Sequence, residues 1–411
     1  MSTRLSVTSS RSRSRSSKQP APPSDAPPSL SALDRFLPLW IVLAAALGMA
    51  LGQLPEVPAF IASATVGDVN VLVGVGLLAM MYPPLAGVRW LLVTRAFAAD
   101  WRLLALSSAQ NWAVAPALMF ALSAVFFHAD AGFLAGFSLV GCARCIGMVM
   151  IWIALAGGDL EYGAALIALN SLLTLALYAL YATFLLSTLP AALGLSVAAV
   201  PHDDSGNGSA SGALHITMSE IAINVGIYMG VPFALALAGW LALVRLKGER
   251  WYFEAYAPSL DVVALLALLF TVAVLFASQS QRMATTLAPV LFATVPFAIY
   301  FALIFSSTFA LSMRCGASYA QCATLAFTAT SNNYELSLGV AVATFGLDSD
   351  PAMMSVVAAL VEIPTMLLLV WASLWAKRRY FPLHGESMDE AELERGFAAA
   401  ASPSERASGY R

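Results

Sequence analysis

Followed along the chain, apolar positions gather into ten long stretches divided by short polar connections. They run over Phe36–Leu54, Asn70–Leu91, Trp101–Phe127, Ala131–Ala156, Tyr162–Leu189, Thr217–Arg245, Pro258–Ala277, Thr286–Leu311, Ser318–Phe345 and Pro351–Ala376. Crossing about 30 Å of hydrocarbon takes roughly 20 helical residues. The apolar runs are continuous rather than alternating, and an open strand in lipid would leave its backbone groups unpaired. The pattern therefore predicts an all-α integral membrane protein with ten transmembrane helices. The ten-span domain covers residues 36–380. It divides into a first half (36–189), an outer loop (190–216) and a second half (217–380). Residues 1–35 are rich in Ser, Pro and Arg and hold too little apolar surface to offset chain entropy, which predicts a disordered tail. Residues 381–411 form a second polar tail. The first apolar run begins only near Phe36 and no small-residue cleavage site follows it, so no signal peptide is expected.

Composition narrows the class. Of 411 residues, 59% are hydrophobic and 11% charged, with a mean hydropathy of +0.77. An ordinary soluble domain has about 25% charged residues. A chain this long with so little charge needs lipid over most of its surface, which excludes soluble enzymes and nucleic-acid binders. The net charge of −3 provides no basic field for nucleic acid. Four cysteines make no disulfide framework.

The basic residues orient the spans. With the N-terminal tail in the cytosol, nineteen of the 21 Lys and Arg fall in cytosolic segments. Arg282 alone lies in an outer loop, and Arg144 lies within a span. That bias places both termini in the cytosol. The outer loop carries Asn207-Gly208-Ser209, which makes Asn207 a candidate glycosylation acceptor. Ten spans make two halves of five. If the halves are structural repeats, the odd number gives them opposite orientations, as in many secondary transporters with midplane sites.

Polar residues inside the spans carry the candidate chemistry, since an ionisable group at the bilayer centre costs roughly 2.5–3.5 kcal/mol. Stretch four contains Cys142, Arg144 and Cys145 among several glycines. Stretch nine contains Thr328, Thr330, Ser331, Asn332, Asn333 and Glu335 nearly in a row. Such runs cannot continue a lipid-facing helix, so stretches four and nine are expected to be discontinuous helices. Asn170 and Ser171 add polarity to stretch five, Glu220 and Asn224 to stretch six, and Glu362, followed by Pro364, to stretch ten.

The segments MMYPPLAGVRW (80–90), GCARCIGMVMIW (141–152), ALNS (168–171), EIAINVGIYMGVPF (220–233), SNNYELSLGVAVATFG (331–346) and ALVEIPTMLLLVW (359–371) stand in this order along the chain. In them the sequence resembles the arsenical-resistance arsenite efflux permeases of the bile acid/sodium symporter superfamily, over most of Leu37–Trp375. The resemblance implies ten spans in an inverted five-plus-five fold and export of arsenite, often with antimonite, in exchange for protons. Efflux points to the plasma membrane, with a vacuolar membrane as the alternative. The resemblance further implies that Cys145 and Glu335 are essential. Two positions depart from the family's common pattern, Ile153 and Thr174, and both bear on the hydrogen-bond lining.

The residue chemistry agrees with this implication. Arsenous acid is a small neutral polyol whose As(III) centre is thiophilic, so a sulfur ligand with hydrogen-bonding groups suits it. Cys145 is the candidate transient As(III) ligand, and the neighbouring Arg144 could favour its thiolate. Cys142, three residues earlier, reads better as packing, because a second thiol would slow release. Glu335 is the candidate proton carrier, since burial favours the neutral form of a carboxyl; the alternative is a structural pair with Arg144. Glu362 is the second acidic candidate, with a helix-terminal role as its alternative. Asn170, Asn332 and Asn333 read as hydrogen-bond partners for metalloid hydroxyls or for freed backbone groups. Gly74-x-Gly76-x-x-Ala79 fits a dinucleotide pattern but lies inside an apolar span, where helix packing explains it. No Walker, HExxH or GxSxG motif occurs, so neither enzymatic activity nor a cofactor is expected. A sodium-coupled organic anion symporter of the same superfamily is the alternative function, although it gives no reason for Cys145.

Overall fold

The computed structural model describes residues 37–66, 69–89, 101–194, 218–285 and 287–381. The polar tails, the outer loop with Asn207, and Arg95 lie outside these residues. Each predicted apolar stretch has a helical counterpart. Stretch one gives α1 (Leu37–Leu51), which turns by 102° into the short α2 (Glu56–Ser63). Two antiparallel two-residue strands, β1 (Thr65–Val66) and β2 (Val69–Asn70), follow and lead into the second apolar run at Asn70. The Asn70 side chain then accepts from the Val73 N–H and starts α3 (Val71–Ala86).

The chain continues through α4 (Trp101–Phe126), α5 (Ala131–Gly141), α6 (Val149–Leu155), α7 (Leu160–Ala192) and α8 (Met218–Lys247). A π turn (Tyr252–Tyr256) leads into α9 (Ala257–Thr285). After it come α10 (Leu287–Arg314), α11 (Tyr319–Thr330), α12 (Tyr334–Phe345) and α13 (Asp350–Tyr380). Six helices among the described residues are individually long and apolar enough to span a bilayer, and the bent α1–α2 pair would make a seventh. The remaining stretches are a shorter apolar helix, α3, and two broken ones, α5–α6 and α11–α12. The breaks expected in stretches four and nine are present.

Two layers result. In one, α1 and α3 pack on α9, and α8 packs on α3. In the other, α13 packs against α5, α10 and α12, while α11 lies against α10 and α7. Glycines allow the close approaches. Gly48 of α1 and Gly52 just beyond it face Ala273 and Ala277 of α9, and Gly76 of α3 faces Thr271. Between the layers, a Cβ on Gly339 of α12 would meet the Tyr228 ring of α8 at 2.9 Å. Exposed residues such as Val42, Phe60, Leu368 and Trp371 lie on the outside of these layers, as lipid contact requires.

Candidate functional site: the crossing of two broken helices

The break in stretch four (142–148) and the break in stretch nine (331–333) lie across one another as short antiparallel extended segments. Arg144 pairs with Asn332 in an isolated β-bridge. The Cys145 N–H donates to the Ser331 carbonyl at 3.2 Å, and the Asn333 N–H donates to the Ala143 carbonyl at 3.1 Å. Each unwound segment thus satisfies backbone groups of the other, as non-helical backbone inside a membrane protein must. Four helix ends converge here. Two are the C-terminal ends of α5 and α11; the other two are the N-terminal ends of α6 and α12.

Arg144 is 1% exposed and holds the C-terminal ends together. Its guanidinium donates to the Gly141 carbonyl at 2.5 Å, the Ala329 carbonyl at 3.0 Å and the Tyr300 hydroxyl at 3.0 Å. Gly141 is the last residue of α5 and Ala329 the last but one of α11, so both carbonyls lack an intrahelical partner. A cation suits the negative ends of two helices. No carboxylate among the described residues forms an ion pair with Arg144, so the Arg144–Glu335 pair considered from sequence does not form.

Cys145 lies in the break and is 4% exposed. Its thiol is within electrostatic range of both Glu335 and Glu362. Glu335 is half-buried in the first turn of α12. Glu362 is fully buried in the interior of α13, not at a helix end, which corrects the helix-terminal alternative. One of its oxygens accepts from the Ser331 hydroxyl at 2.5 Å, while Oε2 has no partner. Asn333 caps α12 by accepting from the Leu336 N–H at 3.0 Å, and Asn332 Oδ1 accepts from the Tyr300 hydroxyl at 3.2 Å. The Nδ2 groups of both asparagines are buried without a partner, as are Arg144 Nε and Trp152 Nε1. Native interiors rarely leave such groups unpaired. The two asparagines and Arg144 belong to the breaks themselves, and Trp152 to the helix that follows the first break.

The structure brings Cys145, Arg144, Asn332, Asn333, Glu335 and Glu362 to the crossing or its immediate neighbourhood. Asn170 sits to one side on α7, where its Oδ1 accepts from the Trp112 indole N–H at 3.2 Å. Trp112 belongs to a π turn of α4 (Gln110–Val114), whose freed carbonyl is taken by the Tyr181 hydroxyl. Cys142 follows the last residue of α5, and its thiol donates back to the Ser138 carbonyl at 3.3 Å. Because the helix stops there, Cys142 and Cys145 do not share a helical face.

Sequence reasoning missed Tyr300, Trp112 and the bonding role of Ser331. A Tyr or Trp in an apolar run gives no signal separating a hydrogen-bonding role from packing. The Gln110-Asn111 pair in stretch three was legible as intramembrane polarity. Both of those residues are buried with an unpartnered side-chain oxygen.

A narrow apolar crevice of about 20 Å³ lies between the two layers near the crossing. One wall includes Met80 and Leu268, and the other includes Tyr334 and Ala359. Among the described residues no cluster of His, Cys, Asp or Glu would hold a resident metal ion.

Broken helices crossing in a bundle of membrane-spanning length, with polar groups left unpaired at the break, define a multi-pass membrane transporter. Comparison with known proteins specifies which kind. Residues 74–286 match the Sodium Bile acid symporter family. The arsenical-resistance protein Acr3 of Corynebacterium glutamicum is 35% identical over 357 residues, covering 87% of this chain and 92% of its own. The Acr3 of Alkaliphilus metalliredigens is 25% identical over 85% of this chain and 94% of its own. An uncharacterized transporter of Synechocystis is 27% identical over 83% and 88% respectively. The chain belongs to the Sodium Bile acid symporter family, in the line of the arsenical-resistance Acr3 proteins.

Proposed function

We propose that this protein exports arsenite from the cell across the plasma membrane in exchange for protons and thereby confers arsenic resistance. The observation that carries the reading is Cys145, a free thiol in an unwound segment beside two carboxyls and several unpaired amide donors. As(III) takes the Cys145 sulfur as a soft ligand, one arsenous hydroxyl leaving with the thiol proton as water, and its remaining hydroxyl oxygens accept from Asn332 and Asn333 Nδ2. Glu335 carries the counter-proton, and Glu362 holds Ser331 in place. Antimonite, with the same thiophilic chemistry, is the second substrate. The 35% identity to an arsenical-resistance protein supports the substrate class.

The same reading gives ten spans, counting α1, α3 and each broken pair once, as two inverted halves with both termini in the cytosol. The distribution of Lys and Arg supports this orientation. Sodium-coupled organic anion import is the second reading, favoured by the family's breadth. Against it stands Arg144, whose guanidinium already engages the Gly141 and Ala329 carbonyls. In sodium-coupled transporters, unwound carbonyls of this kind coordinate the ion. Cells lacking their own exporter should accumulate less arsenite when they express this chain. Unchanged accumulation with the protein at the cell surface would refute the assignment.

A further inference from the structure

The apolar crevice between the layers offers little directional bonding, yet at one end of α12 the layers are tied by two side-chain hydrogen bonds. Asn224 of α8 donates through Nδ2 to the Thr344 hydroxyl at 3.0 Å, in the last turn of α12. Gln279 of α9 donates through Nε2 to the Leu347 carbonyl at 2.7 Å, just beyond that helix. Gln279 is 2% exposed. The acceptor is held firmly. Gly346, with φ +89°, ends α12, and the Ser349 side chain accepts from the Ala352 N–H to start α13. The connection between them is therefore short and fixed, with the Leu347 carbonyl turned toward α9. By the basic-residue distribution this is the outer face.

We infer that Asn224–Thr344 and Gln279–Leu347 form a latch that closes the crossing to the outer face and opens when the layers separate there. Apolar surfaces slide against one another without a preferred register, because the hydrophobic effect is non-directional. A buried amide that loses its acceptor is left unsatisfied, which selects one arrangement over another. Two such bonds at one end hold the layers together there and leave the mid-depth crevice free to change width. Cys145, at 4% exposure, is the natural reporter, because an open latch exposes it to the outer solution. The inference rests on the proposed site at the crossing but not on the identity of the solute. Thiol access reads the latch even in a protein that carried something other than arsenite.

The test uses the full chain in oriented vesicles with Cys315→Ser, which removes the one exposed thiol. A membrane-impermeant methanethiosulfonate is applied to one face at a time, and the rate of modification at Cys145 is read by mass spectrometry. Asn224→Ala with Gln279→Met should raise labelling from the outer face by about fivefold or more and lower it from the inner face. General loosening of the fold would raise both rates, and that result would overturn the latch, as would unchanged rates. Thr344→Ala alone removes the partner of Asn224 from the other side and should match Asn224→Ala without adding to it. An additive effect would contradict the pairing. Conversely, Gln279→Cys with Leu347→Cys, once oxidised, should drop outer labelling below the starting protein and stop transport. Each single cysteine variant under the same oxidant should go on transporting, and its outer labelling should not fall below that of the starting protein. Transport that continues in the oxidised double variant would overturn the proposal.

Discussion

Replacing Arg144 by Met removes a guanidinium that binds Gly141 at the end of α5, Ala329 near the end of α11 and Tyr300 of α10. Tyr300 keeps a partner, since its hydroxyl also donates to Asn332 Oδ1. The two carbonyls do not. Each is left buried and unsatisfied at a cost of about 1–3 kcal/mol. Met also removes the burden of a buried charge with which no carboxylate among the described residues forms an ion pair, which offsets part of that loss. A net destabilisation of about 2–4 kcal/mol follows, and at about 2 °C per kcal/mol in a large domain the melting point should fall by about 4–8 °C. The assay is thermal unfolding of the purified protein in lipid nanodiscs, followed by intrinsic fluorescence. Arg144→Lys should fall between the two, because an ammonium reaches one carbonyl but lacks the planar fork that reaches both. A melting point for Arg144→Met within about 1 °C of the starting protein would refute the claim that this side chain joins the half-helices.

The other predictions concern the crossing more directly. Cys145→Ser should abolish arsenite export with the fold intact, while Cys142→Ser, which loses only a bond to the Ser138 carbonyl, should keep most of it. Resistance and vesicle uptake both check this, and a silent Cys145→Ser would move the ligand elsewhere. Glu335→Gln should uncouple transport from an imposed pH gradient, and Glu335→Asp should retain more coupling because it still titrates. Gly339→Val should cost expression or stability, since its Cβ would meet the Tyr228 ring at 2.9 Å. Adding Tyr228→Ala should recover part of that loss, as a thermal-shift comparison of the two variants would show.

Much of the fold was legible because lipid makes the sequence simple. Apolar runs must be helices, and polar runs such as Thr328–Glu335 cannot be lipid-facing ones, so the positions of the breaks followed from composition alone. The motifs around Cys145 and Asn332 pointed to the same two segments. Their joining was not legible. Backbone bonds between Cys145 and Ser331, or Asn333 and Ala143, involve main-chain groups that every residue carries. Arg144 invited an acidic partner because burial of an unpaired charge is costly. The structure gives it helix-end carbonyls instead, a solution visible only once both helices are known to end there. Tyr300 and Trp112 were hidden for a different reason: an aromatic ring in an apolar run looks the same whether or not its polar atom is used. The 102° turn between α1 and α2 also escaped, since the apolar stretch runs through Leu54 without marking where the first helix ends.

The most direct measurement is arsenite uptake into inside-out vesicles containing the purified protein, first with an acidic lumen and then with a sodium gradient in its place. The account predicts uptake that follows the pH gradient, is indifferent to sodium and disappears in Cys145→Ser. Uptake that required sodium, or that persisted without the Cys145 thiol, would contradict it.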